Sequence, residues 1–294
     1  MSIVTFWNDD REQSGKTLTA VAVATRMAIE RNYKILLIST NFQDPTIRNC
    51  FWGNEVQRSL KIFGGKLNNI AVENGIEGLV KLITANKLTP NVITDYTKVV
   101  FKGRLEIING FSGAKDVEKE VNYEQFKKIE ENYAELIKMA NQYYDMVIVD
   151  LDKIISTKVR KEILEISNLN VLVFSQRKES LDRYIQLRDK DRDVNSPKTI
   201  SVIGKYLSET KYNLKNVIKY LGGKKDLNVI PFNMLYFEAA EEAGVPDLFL
   251  RLKNVKDTSD ENYIFMQDVL KLMEKIIKRL QELQMKMRWK NDTN

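Results

Sequence analysis

The sequence predicts a doubly wound α/β fold, a mostly parallel sheet flanked by helices. Four short runs, IVTFW, ILLIS, MVIVD and VLVFS, are almost continuously apolar. Strands read this way when both faces are buried under helices. Between the runs lie segments with helical spacing, and the alternation of the two patterns is that of βαβ units. A third observation sits at the first strand, where a loop closing on Gly15-Lys16-Thr17 leads at once into a helical segment.

In chain order, the expected strands are 3–7, 34–39, 105–109, 146–150, 171–175, 199–204 and 228–231. The first crossover helix is expected over 16–31. Another is expected over 121–143, where Phe126, Ile129, Tyr133, Leu136 and Ala140 recur at three- and four-residue steps. Further helices are expected over 158–167 and 181–188. Residues 53–98, rich in Gly and Asn, read as an irregular helical insertion. No internal repeat or Pro/Ser linker divides the chain, so residues 1–258 are expected to form one domain. Residues 259–294 then form a C-terminal amphipathic helix with a basic tail. Phe265, Val269, Leu272, Ile276, Leu280, Leu283 and Met287 mark its apolar stripe, while Lys275, Lys278, Arg279, Lys286, Arg288 and Lys290 crowd its end. The stripe reads first as a packing face and second as a surface for anionic lipid.

Composition narrows the chemistry. The 294 residues include no histidine and one cysteine, Cys50. A Ser-His-Asp triad, a Cys-His pair and a two-histidine zinc site are therefore excluded, as is an internal disulfide. The remaining tools are Lys, Arg, Asp, Glu, Ser, Thr and backbone amides, with a hard metal such as magnesium. No apolar stretch reaches the roughly 18 residues of a membrane span. The start MSIVTFWNDD lacks a basic n-region and does not read as a signal peptide. The expected location is cytoplasmic, with the C-terminal helix able to attach to the inner face of the cell membrane. The net charge of +6 permits contact with nucleic acid or anionic lipid without requiring either.

A strand, a loop ending in Gly-Lys-Thr and a helix form the context of a P-loop. In it, backbone amides at Ser14 and Gly15 and the start of the helix hold phosphate. Lys16 neutralises the β- and γ-oxygens, and the Thr17 hydroxyl ligates magnesium. The run MVIVD resembles a Walker B strand, which implies that Asp150 holds the metal through water; taken alone, Asp150 reads as a cap or turn residue. Asp152 adds a second carboxylate nearby. In NFQDPT, which follows the second strand and is similar to a switch segment, either Asn41 or Asp44 could orient water or metal, and Asp44 carries the charge; Asp-Pro is nearly as much a turn signal.

These motifs resemble the ParA/MinD family of P-loop ATPases, with its deviant Walker A loop, which includes the TadZ/CpaE pilus-positioning proteins. That family's loop reads G-K-G-G-x-G-K-T, and here the same positions run from Asp10 to Thr17. Arg11 stands at the signature-lysine position that reaches the partner subunit's nucleotide. Asp10, Glu12 and Gln13 replace glycines, placing two carboxylates where the triphosphate is expected. The resemblance also implies that Pro231 and Phe232, in VIPFN, border adenine. The family's adenine-contacting Asn has no counterpart in SVIGKYL.

The resemblance implies ATP and magnesium as cofactors and a nucleotide-dependent homodimer that positions a cellular cargo, with weak hydrolysis. Arg11, Lys16 and Asp44 are its expected catalytic residues. The basic C-terminal helix would meet an anionic membrane or a protein cargo. The alternatives are a partition ATPase that binds DNA non-specifically and a nucleotide-binding adaptor without hydrolysis.

Overall fold

The computed structural model describes residues 1–10, 13–52, 75–113, 118–223 and 226–292. Its centre is an eight-stranded sheet: β1 (Ser2–Trp7), β2 (Ile35–Ser39), β3 (Lys98–Phe101), β4 (Leu105–Ile108), β5 (Met146–Asp150), β6 (Leu169–Phe174), β7 (Thr199–Tyr206) and β8 (Leu227–Pro231). The spatial order is β3-β4-β2-β5-β1-β6-β7-β8, and every pair is parallel except β3 with β4. The doubly wound, mostly parallel sheet is as the sequence predicts. Every residue of β1, β2, β5 and β6 is buried, which is why those four segments are apolar without alternation.

The helices are α1 (Lys16–Glu30), α2 (Thr46–Trp52), α3 (Ile76–Thr84), α4 (Lys119–Glu130), α5 (Tyr133–Ala140), α6 (Thr157–Ile166), α7 (Lys178–Lys190), α8 (Leu214–Tyr220), α9 (Met234–Glu241), α10 (Val245–Leu252) and α11 (Glu261–Asp292). They cover the sheet on both faces, giving two apolar layers. One is built on α1, α9, α10 and α11, the other on α3 to α7. β1 lies between β5 and β6, so the chain winds away from it in both directions. The crevice at such a reversal, beyond the carboxyl ends of the strands, is where doubly wound sheets bind ligands.

Three local expectations change. The helix expected over 121–143 is two helices, α4 and α5, separated at Glu131 and Asn132. The apolar stripe crosses the break intact, since Phe126, Ile129, Tyr133, Leu136 and Ala140 are all buried. Within the expected irregular insertion, residues 53–74 lie outside the described part. Its remainder supplies α3 and, at its end, the edge strand β3, a short ribbon on β4 with one irregularity in register and Val99 exposed. A strand this short and half-exposed carries little apolar pattern.

α11 packs by its predicted stripe. Phe265, Val269, Leu272, Ile276 and Leu280 are buried in the same layer as Val4 and Phe6, and Leu283 packs against it. The Met287 side chain lies outside the described part. Two of the basic residues assigned to its charged face are engaged. Lys275 and Arg279 both pair with Asp226, just before β8, and Arg279 also donates to the Pro197 carbonyl at 2.9 Å. Partial burial works against the Asp226 carboxylate, but these two cations prevail and hold it below its ordinary range. Further along, Gln284 donates to the Ser2 hydroxyl at 3.1 Å.

Because Phe265 is fully buried against Tyr236 and Phe249, Phe265→Ala should destabilise the fold by about 3–5 kcal/mol. Urea unfolding checks this, and a loss below about 1 kcal/mol would detach α11 from the core.

Candidate nucleotide site

The β1–α1 connection builds the site. Gly15 sits at the N-cap of α1 with φ +80°, a left-handed conformation that glycine adopts without strain. The first turn of α1 has no acidic residue, so its free amides and positive dipole end are available to an anion. From that turn, Lys16 Nζ pairs with Asp150 Oδ1 at the end of β5. Thr17 Oγ1 lies 3.2 and 3.1 Å from the two oxygens of the same carboxylate. The parallel register that sets Phe6 and Ser39 beside Asp150 makes this meeting possible across more than a hundred residues.

Asp150 is fully buried. Burial pushes its carboxyl above the ordinary range, against the opposing pull of the Lys16 ammonium and the Thr17 hydroxyl. Lys16 is nearly as buried. The two charges leave water only as a pair.

Of the two carboxylates expected to face the phosphate, the structure describes Asp10. Asp10 turns away from the helix N-terminus. Its Oδ2 accepts from the Ser180 hydroxyl at 2.6 Å and from the Ser175 amide at 3.2 Å. Burial raises its pKa, while those two hydrogen bonds and the nearby Arg183 charge act in the other direction. Arg183 also donates to the Asp9 carbonyl, and Asn8 donates to the Ser14 hydroxyl at 3.1 Å. The described loop residues around these anchors need no left-handed backbone apart from Gly15. At Asp10, side-chain tethers therefore stand where the family's loop has a glycine. Arg11 and Glu12 lie outside the described residues.

Pro231 and Phe232 come together with Gly15, Leu18 and Thr19 to line one cleft, joined by Asn233, Tyr236 and Phe237. Phe232 and Phe237 form an exposed aromatic pair with ring centroids 6.1 Å apart. Behind them the Tyr236 hydroxyl donates to the Leu18 carbonyl at 2.6 Å, fastening α9 to α1. Asp44 is placed differently. Its Oδ1 accepts from the Thr46 amide and hydroxyl at 2.9 and 2.6 Å, the turn role of Asp-Pro, and it lines a different cleft with Arg48 and Tyr96. Asp152 likewise accepts from the Ile154 amide and closes a turn.

Sequence reasoning missed the end of β7. A Cβ on Gly204 would lie 2.2 Å from the Ser14 carbonyl oxygen, so the strand end presses on the loop at a position that only glycine fits. Lys205, the next residue, has φ +51° and shares the cleft with Gly15. A Gly-Lys pair at a strand end carries no signal of this in sequence.

The search of solved structures returns the same architecture. A ParA family ATPase from Chlorobium tepidum TLS aligns with 92% of this chain and 97% of its own, at 17% identity and a TM-score of 0.62. The chain has the ParA/MinD fold. A plasmid partition protein from Borrelia burgdorferi B31 bound to AMPPNP covers 93% and 98% of the two chains, at 16% identity and a TM-score of 0.58. The septum site-determining protein MinD of Pyrococcus horikoshii OT3, complexed with Mg-ADP, covers 94% and 95%, at 15% identity and a TM-score of 0.56. No protein-family model and no curated protein matches the sequence. Against that distance in sequence, the ParA/MinD fold extends over nearly the whole chain.

Replacing Asp150 by Asn leaves the Lys16 ammonium buried without its counter-charge, and should cost about 3–5 kcal/mol of stability. Adding Lys16→Met to that variant should recover much of the loss. The urea midpoints of the two single variants and the double variant check the coupling.

Proposed function

We propose that this chain is an ATP-binding switch of ParA/MinD type, whose nucleotide-dependent dimerisation positions a cellular cargo, with weak hydrolysis. The observation that carries the reading is the convergence of Lys16, Thr17 and Asp150 at the N-terminus of α1. One ammonium, one hydroxyl and one carboxylate beside free helix amides form the donor set that a magnesium–triphosphate needs. Among the described residues no three His, Cys, Asp or Glu side chains cluster as a metal cage. A magnesium ion here would accordingly draw its remaining ligands from phosphate and water.

In this reading Lys16 leaves Asp150 for the β- and γ-phosphate oxygens, and the Ser14 and Gly15 backbone wraps the phosphate chain. Thr17 and Asp150 would hold magnesium, which would offset the charge of the phosphates. Pro231 and Phe232 form the wall for the base, with Phe237 beside them. Arg11 supplies positive charge towards the partner subunit's nucleotide in the homodimer. Asp44 orients the attacking water only after its carboxylate gives up Thr46. That engagement of Asp44 also favours a second reading, a nucleotide-binding adaptor without turnover.

The basic end of α11 is the proposed contact for an anionic membrane or protein cargo. A partition ATPase binding DNA non-specifically is the alternative use of the same charge. The end of α11 is suited to a surface partner because Lys286 is exposed and Arg288 and Lys290 follow in the sequence.

Isothermal titration should show ATP with magnesium binding the wild type and at least roughly tenfold loss for Lys16→Ala, the scale of a lost charge-assisted hydrogen bond. Absence of binding to the wild type would overturn the reading. Phosphate release equal in wild type and Lys16→Ala, with wild-type binding present, would select the adaptor.

Removing residues 285–294, beyond the Gln284–Ser2 contact, should abolish sedimentation with anionic vesicles and preserve the folded core. DNA gel shifts on the same pair of proteins separate the two uses of the charge: loss of a salt-sensitive shift without any vesicle binding would favour DNA.

A further inference from the structure

The end of β7 carries a backbone outlier, a cation without a partner among the described residues and a close contact with the phosphate loop, all in one residue. The pairing of β7 with β8 slips between Ile203 and Tyr206, and Lys205 takes φ +51° inside that irregularity. Left-handed backbone within a strand is the place for glycine, and a lysine there is held at a cost. Bulges of this kind re-aim a side chain and recur beside functional sites.

Here the bulge sends Lys205 over the loop. A Cβ built on Gly15 would stand 2.9 Å from Lys205 Cγ and 3.6 Å from Cδ, so the lysine stem lies across the face of the glycine. The aliphatic part is packed, as long basic side chains pack on an apolar surface with the charged head left free. That ammonium makes no hydrogen bond or ion pair among the described residues. Lys205 also belongs to the cleft shared by Gly15, Leu18, Pro231 and Phe232. It thus bridges the phosphate loop and the wall assigned to the base.

The geometry points to Lys205 as a second nucleotide-binding lysine, its ammonium directed to the α-phosphate, the phosphate nearest the sugar. This inference rests on the nucleotide-binding reading above. Lys16 and Lys205 then divide the work. Lys16 approaches from α1 towards the β- and γ-phosphates, and Lys205 comes from β7 across Gly15.

Titrations of ATP and ADP into Lys205→Met, Lys205→Arg and Lys205→Gly test the assignment. Lys205→Met should weaken both nucleotides by a similar factor, roughly tenfold or more, because they share the α-phosphate. Lys205→Arg should keep most of the affinity. Lys205→Gly should weaken binding while raising Tm by about 1–3 °C, since glycine relieves the backbone. A merely structural lysine would not combine a gain in Tm with a loss of affinity. Unchanged affinity in Lys205→Met and Lys205→Gly would overturn the inference and leave the nucleotide site standing. Loss confined to ATP would move the ammonium to the γ-phosphate and overturn the α-phosphate assignment. Failure of the wild type to bind either nucleotide would overturn the nucleotide site itself, and this inference with it.

Discussion

The buried contact of Lys16 with Asp150 is the constraint around which the rest is arranged. It joins the first residue of α1 to the last residue of β5, and both groups are removed from water. A single buried charge would cost several kcal/mol, so the helix and strand ends are obliged to meet. The meeting requires β1 beside β5 in the observed register, and an α1 that starts immediately after a tight loop. A buried pair, however, adds little net stability over an apolar replacement of the same shape. On the nucleotide-binding reading proposed above, the pair stores, without water, an ammonium and a carboxylate that a magnesium–phosphate would separate and use.

The phosphate loop achieves its shape by an uncommon route. Glycines permit a P-loop because they accept left-handed backbone and let phosphate approach. Here only Gly15 among the described loop residues has positive φ, and the preceding chain is held by side chains instead. Asp10 is fixed by Ser180 and Ser175, Ser14 by Asn8, and the Asp9 carbonyl by Arg183. Across the loop, Gly204 makes room by having no Cβ, since the Ser14 carbonyl occupies the space that one would need. Conformational freedom has moved from the loop to the strand packed on it.

That exchange explains what was legible in the sequence and what was not. Strands buried on both faces announce themselves in IVTFW, ILLIS, MVIVD and VLVFS, and the parallel sheet follows from them. Gly15-Lys16-Thr17 and the terminal Asp150 were legible because their roles depend on position at a strand end or helix start, which is local. Asp10 read as a charge facing phosphate because its partner Ser180 lies 170 residues away. Lys205 was invisible for a related reason: a left-handed φ in a bulge is set by how β7 meets β8 and the loop, with no local pattern to mark it. The basic face of α11 was legible as a cluster, but Asp226, which pairs with both Lys275 and Arg279, comes from before β8. β3 escaped because an exposed edge strand needs no apolar run.

The same packing separates the two ends of the molecule. Lys16, Thr17, Asp150, Lys205 and Pro231 gather at the carboxyl ends of parallel strands. α11 makes its late contacts at the opposite ends, with Pro197 before β7, Asp226 before β8 and Ser2 at the start of β1. A surface that engages the basic end of α11 therefore leaves the carboxyl-end crevice uncovered. In a switch of the proposed kind this division is a requirement, because a second copy must reach the nucleotide face while the first is held at its cargo. Parallel strands supply it directly: a helix that packs along the sheet and outruns it must emerge at the end away from the phosphate loop.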